Sequence, residues 1–285
     1  MKELTKNEYH KSVNRVVDYI NQHLDEPVDL KTLAGIANIS EFHFHRIFKA
    51  FVGESIGSYI SRLKLEYAAG KLQLSGNTLS EIAEKTGYRS EFSLSKAFRK
   101  HFGINPSAFR NTETYFSSHF QQPNYDIPEL NPEYMELQDR DLLYIRIISK
   151  YGSSSDYDKA WSKLLKYASL KNLLKADSEF IGLSFDDPNI TASEKCRFYA
   201  CISVDTPVDP EGEFGLQRID GGKYAVFTLK GPYSGLNALY QAVYFHWLPR
   251  TNAELRHGMP FEKYLNNPDE VEPSDLITEV YLPVQ

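Results

Sequence analysis

Two domains of different class, an all-α domain followed by an α+β domain, each internally doubled, are predicted by three observations. A ten-residue segment within the first 110 residues recurs fifty positions later, the hydrophobic period changes after residue 132, and the charge divides between the same two regions. With 285 residues, 41% apolar and 25% charged, the chain is about twice the common size of one domain and has a globular composition. Its polar start, Met1-Lys2-Glu3-Leu4-Thr5-Lys6-Asn7-Glu8, predicts no signal peptide. No apolar run approaches the roughly 18 residues of a membrane span, so no membrane partner is expected; residues 142–148 are broken by Arg146. Only Cys196 and Cys201 occur, at an odd separation that points them to opposite faces of a strand. No disulfide framework, metal site or cofactor is expected, and the predicted setting is the reducing cytoplasm.

Net charge is −6, which argues against nucleic acid until it is counted by segment. Residues 1–110 carry 16 basic and 12 acidic side chains, a balance of +4, and the remainder carries −10. Five of the eight His also fall in the first segment. A basic domain joined to an acidic one fits a polyanion partner for the first and a different partner for the second. Between them, residues 111–132 are rich in Gln, Asn, Ser and Pro and read as a linker, interrupted by Pro123, Pro128 and Pro132.

Residues 1–110 read as helices throughout. Val13, Val16, Val17, Ile20 and Leu24 recur at helical spacing, and Pro27 closes that helix. Ser40-Glu41-Phe42-His43-Phe44-His45-Arg46-Ile47-Phe48-Lys49 then matches Ser90-Glu91-Phe92-Ser93-Leu94-Ser95-Lys96-Ala97-Phe98-Arg99, with Gly53 and Gly103 closing the two copies. Upstream, Leu30, Leu33 and Ala34 match Leu79, Ile82 and Ala83 at an offset of 49. Each copy reads as a short helix, a tight turn and a second helix. Asn38 and Gly87 are the residue types that best tolerate left-handed backbone, Ala34 and Ala83 are small where helices cross, and Ser40 and Ser90 stand where an N-cap belongs. This is helix-turn-helix grammar, twice.

On the second helix of the first copy, Phe44, Ile47, Phe48 and Phe51 share one face and are assigned to the core. Leu94, Ala97, Phe98 and His101 take that spacing in the second copy. Phe42, His45, Arg46 and Lys49 form the other face, matched by Phe92, Ser95, Lys96 and Arg99. A polar stripe on one helix is ordinarily a solvated face. Two matching stripes, each with a Phe near the start and two cations further along, suit double-stranded DNA: rings meet thymine methyls, Arg forks onto guanine, and cations meet phosphate. Residues 57–74 form a connecting helix of roughly 27 Å, which brings the pair toward the roughly 34 Å between successive major grooves. His43 and His45 are two residues apart and point to different sides of a helix, so they cannot share a metal ion.

These residues resemble the AraC-type DNA-binding domain, over roughly residues 8–110. Its most specific part runs Ile82-Ala83, Gly87-Tyr88, Ser90, Phe92, Phe98-Arg99-Lys100, Phe102-Gly103, Pro106-Ser107 and Phe109-Arg110. The resemblance implies sequence-specific control of transcription, with RNA polymerase a possible further partner. It also implies base contacts from Phe42, His45 and Arg46 in the first reading helix and from Glu91, Phe92, Ser95 and Lys96 in the second. Glu91 either accepts from cytosine or serves the helix dipole in the first turn.

After residue 132 the segments 134–137, 142–148, 180–185, 197–204, 224–229 and 276–282 read as strands. Two helices interrupt them. Trp161, Leu164, Leu165 and Ala168 on one correspond to Tyr240, Val243, Tyr244 and Trp247 on the other, each at an offset of 79. Each helix follows a strand and a Gly/Tyr turn, Tyr151-Gly152 or Gly231-Pro232-Tyr233. The second domain, 133–285, is thus an α+β duplicated strand–helix unit with helices on one face of a sheet.

That duplication resembles the GyrI-like effector-binding domain, which also matches Trp247-Leu248-Pro249, Pro260-Phe261-Glu262-Lys263-Tyr264-Leu265 and the terminal strand through Tyr281-Leu282-Pro283. The resemblance implies a pocket between the halves for hydrophobic, often cationic, small molecules, with Glu262 as a buried central carboxylate. A buried carboxylate is costly alone, but a cationic effector would offset it, aided by aromatic rings. With 19 Tyr in the chain, Tyr264, Trp247, Tyr233, Trp161 and Tyr144 are the candidate lining residues. The predicted function is a ligand-responsive transcription regulator rather than an enzyme. Its rivals are a second domain that serves as a protein-interaction module and a small-molecule hydrolase acting through Glu262. No Ser-His-Asp spacing, phosphate loop or metal motif supports catalysis.

Overall fold

The computed structural model describes residues 3–26, 28–111, 130–152, 154–256 and 258–285. Pro27 and most of the predicted linker 111–132 lie outside the described residues. The chain forms two compact units, one of helices and one built on a sheet.

The helices of the first unit are α1 (Glu3–Gln22), α2 (Leu30–Ala37), α3 (Glu41–Val52), α4 (Ile56–Leu74), α5 (Leu79–Lys85), α6 (Glu91–Phe102) and α7 (Pro106–Arg110). The sequence repeat is a repeat of backbone chemistry. Asn38 and Gly87 both take the left-handed conformation, at φ 54° and 67°. In each turn the next amide donates to the small alanine, Ile39 N to Ala34 O at 3.1 Å and Tyr88 N to Ala83 O at 2.8 Å. Gly53 and Gly103 close α3 and α6 with amide bonds to Lys49 O and Arg99 O, both 2.9 Å.

Each helix-turn-helix has its own core, and α4 serves both. Ile56, Tyr59 and Leu63 join Val16, Ile20, Phe44 and Phe48; Leu65, Ala68, Ala69 and Leu72 join Ile82, Leu94, Phe98 and Phe109. Where α4 passes from one core to the other, Arg62 is buried, bonded to Glu54 at 2.7 Å and Glu66 at 3.0 Å. These carboxylates offset the buried guanidinium, because a buried charge without compensation is strongly destabilising. At the spacing assigned to the core, Phe44, Phe48, Leu94 and Phe98 are fully buried, but His101 is exposed.

The second unit runs β1 (Glu133–Leu137), β2 (Arg140–Ile148), α8 (Ser154–Leu170), β3 (Phe180–Ser184), β4 (Arg197–Val204), β5 (Phe214–Ile219), β6 (Gly222–Lys230), α9 (Leu236–Gln241), β7 (Phe261–Tyr264) and β8 (Ile277–Pro283). After α9 the helix loosens into a π-helical segment, Ala242–Trp247. All strands are antiparallel in one sheet of order β1-β6-β8-β7-β3-β4-β2-β5. Six strands lie where alternation predicts them. Two were missed: β5, whose alternation is broken by Gly215 and Arg218, and β7, whose four residues are too few to show a period.

The duplication is detailed. The halves β5-β2-β4-β3 and β1-β6-β8-β7 meet at the β3–β7 ladder, and their edge strands are exchanged: β1 precedes β2 but pairs β6, while β5 precedes β6 but pairs β2. An offset of 80 carries Gly182, paired with Ala200, onto Glu262, paired with Val280. It also carries a single-turn 3₁₀ helix, Ser193–Lys195, onto Pro273–Asp275. The bond from Arg197 N to Asp186 Oδ2 (2.6 Å) becomes that from Ile277 N to Asn266 Oδ1 (2.8 Å). Alternation separates two cores: Tyr144, Ile181, Tyr199 and Phe261 on one face, and Leu143, Ile145, Ala200 and Ile202 with α8 on the other.

Candidate functional site

Glu262 lies on β7 at the middle of the sheet, on the face that α8 covers, and is 3% exposed. Three hydroxyls donate to its carboxylate. Tyr264, two residues on and so on the same face, reaches Oε2 at 2.5 Å; Ser184 of β3 reaches Oε1 at 3.0 Å; Tyr240 of α9 reaches Oε1 at 3.2 Å. Among the described residues no cation bonds the carboxylate. Lys263 projects to the opposite face by strand alternation and bonds Glu179 at 2.6 Å, so the neighbouring ammonium does not neutralise Glu262.

Burial pushes the Glu262 carboxyl up from its ordinary value, and the bonds from Tyr264, Ser184 and Tyr240 bring it partly back. Burial, then the charge of Glu262, pushes the Tyr264 and Tyr240 phenols well above theirs, so both remain protonated donors. Tyr157 and Tyr233 are raised in the same way, burial first and Glu262 second. The carboxylate therefore sits within the electrostatic reach of four phenols.

Rings enclose this group. Tyr233 and Trp161 stand edge-on to Tyr264, with centroids at 5.3 and 5.9 Å, and Tyr157 lies over Phe198 at 4.6 Å. Gly182 makes the arrangement sterically feasible: a Cβ there would collide with the Tyr264 hydroxyl and come within 2.8 Å of the Phe198 ring. Glycine is needed at this position for close approach, not for its backbone freedom.

Of the predicted lining residues, Tyr264, Tyr233 and Trp161 gather at Glu262. Trp247 packs edge-on against Phe227 at 5.0 Å on the same sheet face, further into the second half. Tyr144 is not brought to the carboxylate. Alternation along β2 sends it through to the other face, where it stacks on Tyr199 at 4.2 Å and is wholly buried. Sequence reasoning overlooked Tyr240, Ser184 and Tyr157 as site residues. Tyr240 had a signal, since it is the counterpart of Trp161 at the 79-residue offset. Ser184 had none, because it reaches Glu262 only across the strand pairing.

In the first unit, the predicted reading faces are free of the core. Phe42 and Phe92, at matching positions, are 71% and 77% exposed. His45, Arg46 and Lys49 on α3 and Glu91, Lys96 and Arg99 on α6 are exposed, and Ser95 is half-buried. The helix starts differ. Ser90 and Ser93 form a reciprocal capping box, at 3.2 and 3.1 Å, whereas the Ser40 hydroxyl pairs with His43 Nδ1 at 3.2 Å and caps no amide. Glu91 stands in the first turn of α6, as the helix-dipole role requires.

Fold and site together define a class: a double helix-turn-helix DNA-binding module preceding a duplicated small-molecule-binding module. Residues 131–285 match the GyrI-like small molecule binding domain, and residues 33–112 match a helix-turn-helix domain. The chain belongs to the GyrI-like family and carries an AraC-type helix-turn-helix domain ahead of it. The Right origin-binding protein of Escherichia coli K12 is 25% identical over 280 residues, covering 94% of this chain and 96% of that one. The counterpart from Salmonella typhimurium, with the same identity and coverage, is named Transcriptional regulator Rob. The Multiple antibiotic resistance protein MarA of Escherichia coli K12 is 30% identical over 112 residues, 39% of this chain and 88% of that one. A solved DNA-binding domain of AdpA in complex with a target DNA is 31% identical, covering 34% of this chain and 88% of that one, at a TM-score of 0.34. The protein is a DNA-binding transcription regulator of AraC type with a GyrI-like small-molecule-binding domain. Among the described residues, no helix is long and apolar enough to cross a membrane.

Proposed function

We propose that the second domain senses a lipophilic cation held against Glu262, and that the first reads one asymmetric DNA site with α3 and α6. The observation that carries the effector reading is a carboxylate 3% exposed, ringed by aromatics and bonded, among the described residues, to three hydroxyls and to no cation. Burying that charge is costly without a counter-charge, and a cation facing both carboxylate and ring quadrupoles supplies one. The hydroxyl bonds hold the carboxylate in place until then. Binding rather than turnover is the expected outcome, because the groups that bond Glu262 are phenols and a serine, all serving as donors to it.

Glu262→Gln in the full chain is the test. It should weaken a lipophilic cation by about 2–5 kcal/mol, roughly thirtyfold or more, and leave a neutral isostere nearly unchanged. Equal weakening of both, or of neither, removes Glu262 from the site. Recovery of the cation unaltered after prolonged incubation separates sensor from hydrolase.

On DNA, the matched exposure of Phe42 and Phe92 supports two reading heads with thymine methyls as their apolar contacts. Arg46 reads a base, Lys49 and Arg99 meet phosphate, and His45, Ser95 and Lys96 complete the two faces. The half-elements lie about 10 bp apart, one chain per site. Bound at a promoter, such a regulator acts by touching or excluding RNA polymerase. At fixed salt, Arg46→Ala should cost about 1–3 kcal/mol at one or two base pairs only. A uniform loss over all sequences would reassign Arg46 to the backbone.

A further inference from the structure

One row along the sheet from Glu262 stands a polar group the cation reading does not use. Thr278 of β8 pairs with Tyr264 on one side and Leu229 on the other. It is wholly buried, and its Oγ1 makes no hydrogen bond. Its neighbours explain why. The Tyr264 hydroxyl is drawn toward β3, over Gly182, to reach Glu262, and so is turned away from β8. On the other side Leu229 lies beneath Gly235, its Cδ1 3.2 Å from where a Cβ on that glycine would stand. The 3₁₀ turn Tyr233–Gly235 thus closes over that side, and its Tyr233 ring stands edge-on to Tyr264.

A buried hydroxyl without a partner requires an explanation, because the group has given up water for nothing. The strand does not require it. Valine has the same shape, is equally at home in a strand, and would sit there with no polar atom to satisfy. Thr278 faces the same side of the sheet as Glu262, and diagonal neighbours on adjacent strands lie about 7–8 Å apart. The same ring, Tyr264, stands next to both.

We propose that Thr278 is a second polar contact of the effector site, donating its hydroxyl to an oxygen acceptor on the bound cation. This rests on the cation reading of Glu262 and narrows it. The preferred effector is an aromatic cation that also carries a carbonyl or ether oxygen several ångströms from its positive centre. Tyr264 stands beside both contacts and Tyr233 packs against it, so movement of these two rings would open the way to both.

The experiment compares tetraphenylphosphonium with its analogue bearing one 4-acetyl group, by calorimetry on the full chain. The wild type should prefer the acetylated cation by roughly three- to tenfold, the range of one neutral hydrogen bond. Thr278→Val should abolish that preference while leaving tetraphenylphosphonium affinity unchanged, and Glu262→Gln should weaken both probes. The ligand-free Thr278→Val protein should melt no lower than wild type. A preference that survives the substitution, an absent preference in wild type, or a lowered melting temperature each overturns the assignment of Thr278 alone. Failure of both probes to bind wild type overturns the cation reading, and this inference with it.

Discussion

The two domains are both internally doubled, and their copies differ in where the functional surface lies. In the first, the copies agree on the outside: Phe42 and Phe92 stand at matching positions, both more than 70% exposed, each followed at matching positions by two exposed cations. In the second, the copies agree on the inside, down to the bond from a strand amide to Asp186 or Asn266, and disagree at the site. Gly182 and Ser184 in one half correspond to Glu262 and Tyr264 in the other. The small pair makes room, and the large pair fills it: the Tyr264 phenol passes over Gly182, and both Ser184 and Tyr264 donate to Glu262. The partners differ in the same sense. A duplex presents equivalent surfaces one helical turn apart, so two equal readers are useful. The proposed effector carries one charge, and a second carboxylate at position 182 would repel the first across the ladder.

The largest test of this comparison falls on the shared bond. In the first half Asp186 also holds the Arg197 guanidinium, 2.6 Å away and buried with it. Asp186→Ala removes the carboxylate from this buried pair and should cost about 3–5 kcal/mol. Asn266→Ala removes the neutral counterpart together with the bond from Asn266 Nδ2 to Asp275 O, and should cost about 1–2 kcal/mol. Urea unfolding followed by tryptophan fluorescence isolates this domain, because Trp161 and Trp247 are the only two tryptophans in the chain. Equal losses would mean that the halves differ at the site alone and are energetically alike elsewhere.

A smaller effect comes from the group present in one half only. Burial raises the Glu262 carboxyl above its ordinary value of 4.5, so the folded protein holds this proton at pH values where the unfolded chain has released it. The resulting stability is complete below pH 4.5 and is lost as pH rises through the raised folded value. Glu262→Gln should therefore flatten the pH dependence over that window. Cation affinity runs the other way, rising about tenfold per pH unit until the carboxylate is fully ionised and levelling off above. Calorimetric titration of a permanently charged cation across that range checks it, and a flat affinity profile would place the cation elsewhere.

Much of this architecture is legible in the sequence because duplication leaves periodic marks. Asn38 and Gly87 announce their left-handed turns by residue type, and the offset of 79 between Trp161 and Tyr240 aligns α8 with the helix across the second half. What could not be read depends on pairing rather than pattern. Alternation fixes that Tyr144 and Leu143 point to opposite faces, but only the ladder decides which face carries Glu262. Ser184 is a serine at the end of a strand until β3 is set beside β7. The two strands that went unpredicted flank this lesson: β7 carries Glu262, yet its four residues are held by partners on both sides and not by any periodicity of their own.

The smallest expected effect tests how equal the two reading helices are. Ser40 and Ser90 occupy the same place in the repeat, and residue type alone assigns both as N-caps. Only Ser90 acts as one, accepting from Ser93 N while the Ser93 hydroxyl accepts from Ser90 N. At the first helix the residue three places on is His43, whose ring pairs with the Ser40 hydroxyl, and no side chain caps the helix amides. Removing a working cap costs about 1 kcal/mol, and removing an idle one costs close to nothing. Ser90→Ala should therefore speed amide exchange at Ser93 about fivefold, by releasing the first turn of α6. Ser40→Ala should leave exchange at His43 within twofold of wild type. His43→Ser would then free the Ser40 hydroxyl and supply the reciprocal serine, so amide exchange at position 43 should slow toward the rate seen at Ser93. Equal acceleration from both alanine substitutions would show that the helix starts are capped alike in solution, and that the two copies begin these helices in the same way.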